Sequence, residues 1–151
     1  MVCGVKNEFG LGARFYELDN KELACTFETK ECHQSYLGRV HGGIAAAILD
    51  ETAGRAIDIL EPDTWAVTVE LNVKYKKPIP VNAKLKAIGR VISNNRKIFE
   101  AEGEIILPDG TIAATCWGKY LKMDDKTMAE EAFSEDEWFI LDEIDPMEIE
   151  I

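Results

Sequence analysis

From Trp65 onward the chain alternates. Val67, Val69, Leu71 and Val73 stand on one side and Thr68, Glu70, Asn72 and Lys74 on the other, the period of a half-buried strand. Further strands are predicted over 83–92, 97–107 and 112–123. Ser93-Asn94-Asn95-Arg96 and Pro108-Asp109-Gly110 form the turns between them, because Asn, Asp and Gly tolerate the backbone angles of tight hairpins. Two earlier strands, 13–18 and 22–29, turn at Asp19-Asn20. Between these blocks the period changes. Residues 42–60 read as a helix stopped by Pro62, apolar almost all the way round its first turns and so buried on most sides. The pattern predicts an α+β domain, an antiparallel sheet wrapped around one long central helix.

Two acids interrupt the helix's apolar stretch, residues 43–57. Glu51 has Arg55 four residues later, the favourable order for an ion pair. Asp50 has only Ala46, Ala47, Ala53 and Gly54 three and four positions away. A carboxylate on such a face is costly to bury unless something outside the helix compensates it. Either a loop or solvent satisfies it, or it is a general base or nucleophile tuned by its surroundings. At the helix start stands His41-Gly42-Gly43. Glycines let a ligand approach the backbone, and the first N–H groups of a helix lack internal partners and carry the positive dipole end. They suit an oxygen that becomes negative in a tetrahedral transition state, although Gly-Gly also serves as an ordinary turn. Asp50 lies eight residues past Gly42, about 12 Å along the axis at 1.5 Å per residue. Reacting groups need contacts of ~3 Å. If the two belong to one site, the acid comes from a second copy of the chain across a two-fold axis.

Composition narrows the setting. The chain has 151 residues, 46% apolar and 30% charged, the size and mixture of one globular domain. Twenty-eight acidic against 17 basic residues give −11, which argues against a general nucleic-acid binder. All of that excess falls in residues 124–151, with twelve acids and one lysine, so residues 1–123 read as the working domain and 124–151 as an acidic tail. Trp138, Phe139, Ile140 and Leu141 form an apolar cluster within the tail. They dock on the domain itself or on a partner. No apolar run is long enough for a membrane span or a signal peptide, and Cys3, Cys25, Cys32 and Cys116 are scattered, so a reduced, cytoplasmic setting is expected. Cys32-His33 lacks the ligand cluster a zinc site needs, and the sequence contains neither a GxSxG elbow nor a P-loop. His33 reads as a loop or interface histidine, and the tryptophans as core or tail anchors.

His41-Gly42-Gly43 with an acid nine positions after the histidine, in the order loop, helix, four strands, resembles the hotdog-fold acyl-CoA thioesterases. The phenylacetyl-CoA and 4-hydroxybenzoyl-CoA thioesterase branch is the nearest in pattern. Cys3-Gly4, Asn7, Gly10-Leu11 and the stretch from His33 to His41 look like members of that branch, and the resemblance covers residues 3–123. It implies a homodimer, or a dimer of dimers, that hydrolyses an acyl-CoA without metal or cofactor. Asp50 is then the catalytic carboxylate and Gly42 the oxyanion donor, with Gly43 beside it and His41 shaping the loop. Thr68 is the hydroxyl that orients water. Ser35 stands where the family carries Asn or Gln near the thioester carbonyl, with Gln34 next to it as the alternative. Coenzyme A would lie along Tyr75, Lys76 and Lys77 and the hairpin Asn94, Asn95, Arg96 and Lys97; from the residues alone, those cations read as solvated edge-strand charges. The alternative is a non-catalytic acyl-CoA binder or sensor. A dehydratase of the same fold fits less well, because only His33 and His41 are present and neither resembles its pattern.

Overall fold

The computed structural model describes residues 2–123; the acidic tail and its apolar cluster lie outside the described residues. Six strands form one antiparallel sheet: β1 (Arg14–Glu17), β2 (Leu23–Glu28), β3 (Ala66–Tyr75), β4 (Lys84–Asn94), β5 (Ile98–Ile106) and β6 (Ile112–Lys122), in the order β1-β2-β4-β5-β6-β3. The helix α1 (Gly42–Arg55) packs on one face. No helix among the described residues is long and apolar enough to cross a membrane. The hairpin turns are where the sequence put them. Asn95 Oδ1 accepts from the Lys97 and Ile98 N–H groups, Asp109 Oδ1 accepts from Thr111, and Gly110 takes a positive φ of 80°.

Ala45, Ile48, Leu49, Thr52 and Ala53 are the buried residues of α1. Small side chains among them let the sheet come close. A Cβ at Gly89 of β4 would run into the Thr52 carbonyl oxygen, so only glycine fits there. Phe99 and Tyr120 stack with ring centroids 4.8 Å apart beneath the helix. The helix is shorter than the apolar pattern suggested. After Arg55 it tightens into a 3-10 turn, Ala56–Ile59, before Pro62. Glu51 and Arg55 form the expected ion pair, and Arg55 also lies over the Phe15 ring at 4.6 Å.

The uniform alternation predicted for β3 is corrected by a bulge. The register passes from Thr68 opposite Tyr120 to Glu70 opposite Lys119, leaving Val69 as the extra residue. Thr68 therefore faces the helix together with Leu71 and Val73, while Val67 and Val69 are exposed. The period breaks because one residue is inserted between two in-phase halves. Trp117 also departs from the core role. It is half-buried on the sheet face away from α1, with the Lys119 ammonium 5.8 Å from its ring centre. A concavity of about 540 Å³ on that outer face is lined by Arg90, Glu102, Lys74 and Trp117, on the opposite side of the sheet from Asp50.

Candidate active site

The start of α1 is assembled from a loop that a buried histidine holds in place. His33 Nδ1 accepts from the Lys30 N–H at 3.0 Å, so Nε2 carries the proton and donates to the Phe9 carbonyl at 2.8 Å. Both ring nitrogens are thereby used, which makes His33 structural. The His41 N–H then bonds the His33 carbonyl, closing the loop onto itself at 2.8 Å. Gln34 Oε1 accepts from the Gly38 N–H, and the Ser35 N–H bonds Arg39, so Gln34 braces the loop. Ser35 is exposed, and its hydroxyl has no bond among the described residues.

His41 is the N-cap of α1. Its Nδ1 accepts from the Gly43 N–H at 2.9 Å, a bond worth about 1 kcal/mol to a helix start. The His41 carbonyl accepts from Ile44, and the Tyr75 hydroxyl donates to the Gly42 carbonyl at 2.8 Å. Among the described residues the Gly42 N–H has no partner. A single donor at the positive end of the helix is thus left open for a ligand. A side chain at either glycine would crowd a neighbouring side chain. A Cβ on Gly42 would lie 3.3 Å from the Tyr75 ring and hydroxyl, and one on Gly43 would lie 3.0 Å from His41 Nδ1.

Asp50 sits two turns further along. Thr68 Oγ1 reaches both carboxylate oxygens, at 2.9 and 3.1 Å, and the Tyr120 hydroxyl lies 3.4 Å from the Asp50 carbonyl. The compensation that the helix sequence could not supply therefore comes from β3, through the bulge. Burial pushes the Asp50 carboxyl above its ordinary range; the Thr68 and then the Tyr120 hydroxyls pull it down, and the Glu51 charge adds to the rise. No cation among the described residues forms an ion pair with it. A carboxylate raised in this way is a better proton acceptor at neutral pH. Cys116, whose Sγ approaches the Leu49 carbonyl, offers no competing nucleophile: burial pushes its thiol up to about 12, and it stays protonated.

The predicted CoA contacts do not gather in one chain. Tyr75 pairs with Ala114 at one end of β6, whereas the hairpin 94–97 adjoins Leu121 and Lys122 at the other end. Seven to eight residues of strand separate them, about 25 Å. At the first end, the Lys76 and Lys77 N–H groups both bond the Ala113 carbonyl. At the second, the Asn94 amide bonds Glu61 and Asn95 builds the turn, which leaves Arg96 and Lys97 as the charges without an ion pair among the described residues. Sequence reasoning missed two contacts, that of Tyr75 with the helix start and that of Tyr120 with Asp50. Neither leaves a local signal, since each joins residues at least 33 positions apart.

Comparisons with known proteins agree with this architecture. The sequence profile of the Thioesterase superfamily matches residues 37–114, just over half of the chain. The acyl-coenzyme A thioesterase THEM4 of Rattus norvegicus is 33% identical over 128 residues, covering 83% of this chain and 48% of the relative; the chain thus spans about half the length of that curated relative. Among solved structures, the E. coli PaaI protein from the phenylacetic acid degradation operon superposes with a TM-score of 0.68 at 18% identity, covering 76% of this chain and 81% of that one. BH2602 of Bacillus halodurans, solved with CoA, superposes with a TM-score of 0.61 at 28% identity over 66% of each chain. On the profile match and the hotdog architecture together, the chain belongs to the thioesterase superfamily.

Proposed function

We propose that the protein hydrolyses an acyl-CoA to the free acid and CoA at a site shared by two copies of the chain. The observation that carries this reading is the separation of an open donor, the Gly42 N–H, from a hydroxyl-braced carboxylate, Asp50, on one helix. About 12 Å along the axis is too far for one substrate carbonyl to meet both. Two antiparallel α1 helices related by a two-fold axis set each Asp50 against the Gly42 of the other copy. The ten-residue edge strand β3 favours such pairing, because an exposed edge with Val67 and Val69 uncovered is otherwise a template for uncontrolled association. Antiparallel pairing through β3 also brings Lys76 and Lys77 of one copy beside Arg96 and Lys97 of the other, a cationic rim suited to nucleotide phosphates. The Bacillus halodurans neighbour was solved with CoA, which supports CoA as the ligand class.

In this site Asp50 takes a proton from water, or attacks the thioester carbonyl itself, while Thr68 holds its carboxylate. Either route places negative charge on the carbonyl oxygen, which the Gly42 N–H of the second copy stabilises before the C–S bond breaks. With water as nucleophile the departing CoA thiolate takes the proton held by Asp50; with direct attack water then hydrolyses the acyl-aspartyl anhydride to the free acid. A thioester needs no stronger electrophile, so no metal or cofactor enters.

Mixing Asp50→Asn chains with Gly42→Ala chains tests the sharing. Each homodimer is expected to be nearly inactive, and heterodimers recover activity through the one site that keeps both wild-type groups. Heterodimers that form and recover nothing overturn the shared site. A wild-type protein that binds acyl-CoA and releases no free thiol overturns hydrolysis in favour of an acyl-CoA binder.

A further inference from the structure

We propose that Tyr75 is a positioning residue for the oxyanion donor, holding the first peptide of α1 so that the Gly42 N–H keeps a single direction. This rests on the function proposed above and adds to it a residue whose sequence context pointed to CoA instead.

The peptide joining Gly42 and Gly43 is held at both ends. Its carbonyl accepts the Tyr75 hydroxyl at 2.8 Å, and its N–H donates to His41 Nδ1 at 2.9 Å. Side chains from two different elements therefore pin both ends of one peptide plane. The neighbouring peptide, between His41 and Gly42, has its carbonyl bonded by Ile44 and its N–H open. Gly42 is the hinge between the two planes, and glycine restricts its own dihedrals less than any other residue. The His41 carbonyl is held by Ile44 and, at 3.4 Å, by Ala45, and the Tyr75 bond adds a side-chain hold on the next plane; without it the direction of the open N–H is less closely fixed. The pin itself is firm. Tyr75 is paired with Ala114 at the end of β3, and the next two N–H groups both bond the Ala113 carbonyl, so the tyrosine projects from an anchored strand end. Its ring lies close to Gly42, where a Cβ would stand 3.3 Å from the ring and hydroxyl and would press on the tyrosine.

A donor aimed at a developing oxyanion acts in the transition state and hardly at all in the ground state, so loosening its aim lowers kcat and leaves KM nearly unchanged. Loss of an oxyanion donor costs about 10²–10³-fold; loss of its support is expected to cost roughly 10-fold.

The test is Tyr75→Phe in the full chain, which keeps the ring and removes only the hydroxyl. The expected result is a kcat lowered roughly 10-fold with KM for acyl-CoA within about twofold. Selective ¹⁵N-glycine labelling supplies a second measurement that needs no turnover: the Gly42 and Gly43 amide resonances should shift and exchange faster with solvent, while the other glycines stay put. An unchanged kcat, or a raised KM at unchanged kcat, overturns the inference, the latter returning Tyr75 to CoA binding. Unmoved glycine amides in an active enzyme overturn it as well. A wild-type chain that hydrolyses no acyl-CoA overturns the proposed function, and the oxyanion role with it.

Discussion

At its N-terminus α1 carries a donor whose surroundings are saturated: the Gly42 carbonyl, the Gly43 N–H and the His41 carbonyl are all bonded, and one N–H is left. Two turns on, Asp50 has a side-chain bond from one hydroxyl and no ion pair among the described residues. In the proposed reaction the first end serves direction and the second basicity, since burial raises the carboxyl and Thr68 limits the rise. A donor that must meet a charge only in the transition state benefits from rigidity. A carboxylate that must exchange a proton benefits from being neither neutralised by a cation nor fully solvated.

The largest test of this contrast falls on the carboxylate. Asp50→Asn should lower kcat by 10³-fold or more, about 4 kcal/mol of barrier, measured as thiol release from acyl-CoA. The same substitution should stabilise the fold at neutral pH, raising the thermal midpoint by roughly 2–4 °C, what ~1 kcal/mol is worth at this chain length. Because the folded-state carboxyl is raised above its ordinary value, the ionised form is the destabilised one. The fold gains stability as pH falls through that raised value, and the advantage of the Asn variant should disappear there. An Asn variant no more stable than wild type at neutral pH would deny that burial dominates at Asp50.

Gly42→Ala strikes the other end. The added Cβ meets the Tyr75 ring at 3.3 Å and forces either the tyrosine or the helix start to move. About 10²-fold in kcat is expected, with little change in KM and in the pH profile. A shifted pH profile would mean that the two ends are not separate devices.

Thr68→Val is the smallest perturbation, expected to cost about 10-fold in kcat/KM at neutral pH, the worth of one hydrogen bond to a charged group. It removes the hydroxyl that lowers the Asp50 value, so the acid limb of the kcat/KM profile should move to higher pH, activity being lost as Asp50 protonates. A limb that stays in place would detach Thr68 from the carboxylate's titration.

The helix, the order of elements along the chain and the two candidate ends of the proposed site were legible because each leaves a local mark: an apolar run broken by one acid without a basic neighbour, a glycine pair after a histidine, and turn residues between alternating segments. The resemblance to hotdog thioesterases brought Thr68 into the site, while the alternation of β3 put it on the side away from the valines. The two readings are reconciled by the bulge at Val69, which turns Thr68 to the same face as Leu71 and Val73. No pattern in the sequence announced that insertion, because a bulge is a property of two strands in register and not of one.

What the sequence by itself determined is therefore the chemistry on offer: which residues can donate, accept or bear charge, and the period that sends them to a helix or a strand. The tertiary structure decided who meets whom. Tyr75 reaches Gly42 across 33 positions and Thr68 reaches Asp50 across 18, each through a strand laid against α1 by the packing of Ile48, Leu49 and Phe99 beneath it. Such contacts depend on register, twist and one extra residue in an edge strand. These quantities are set when apolar faces are buried together, and no single segment contains them.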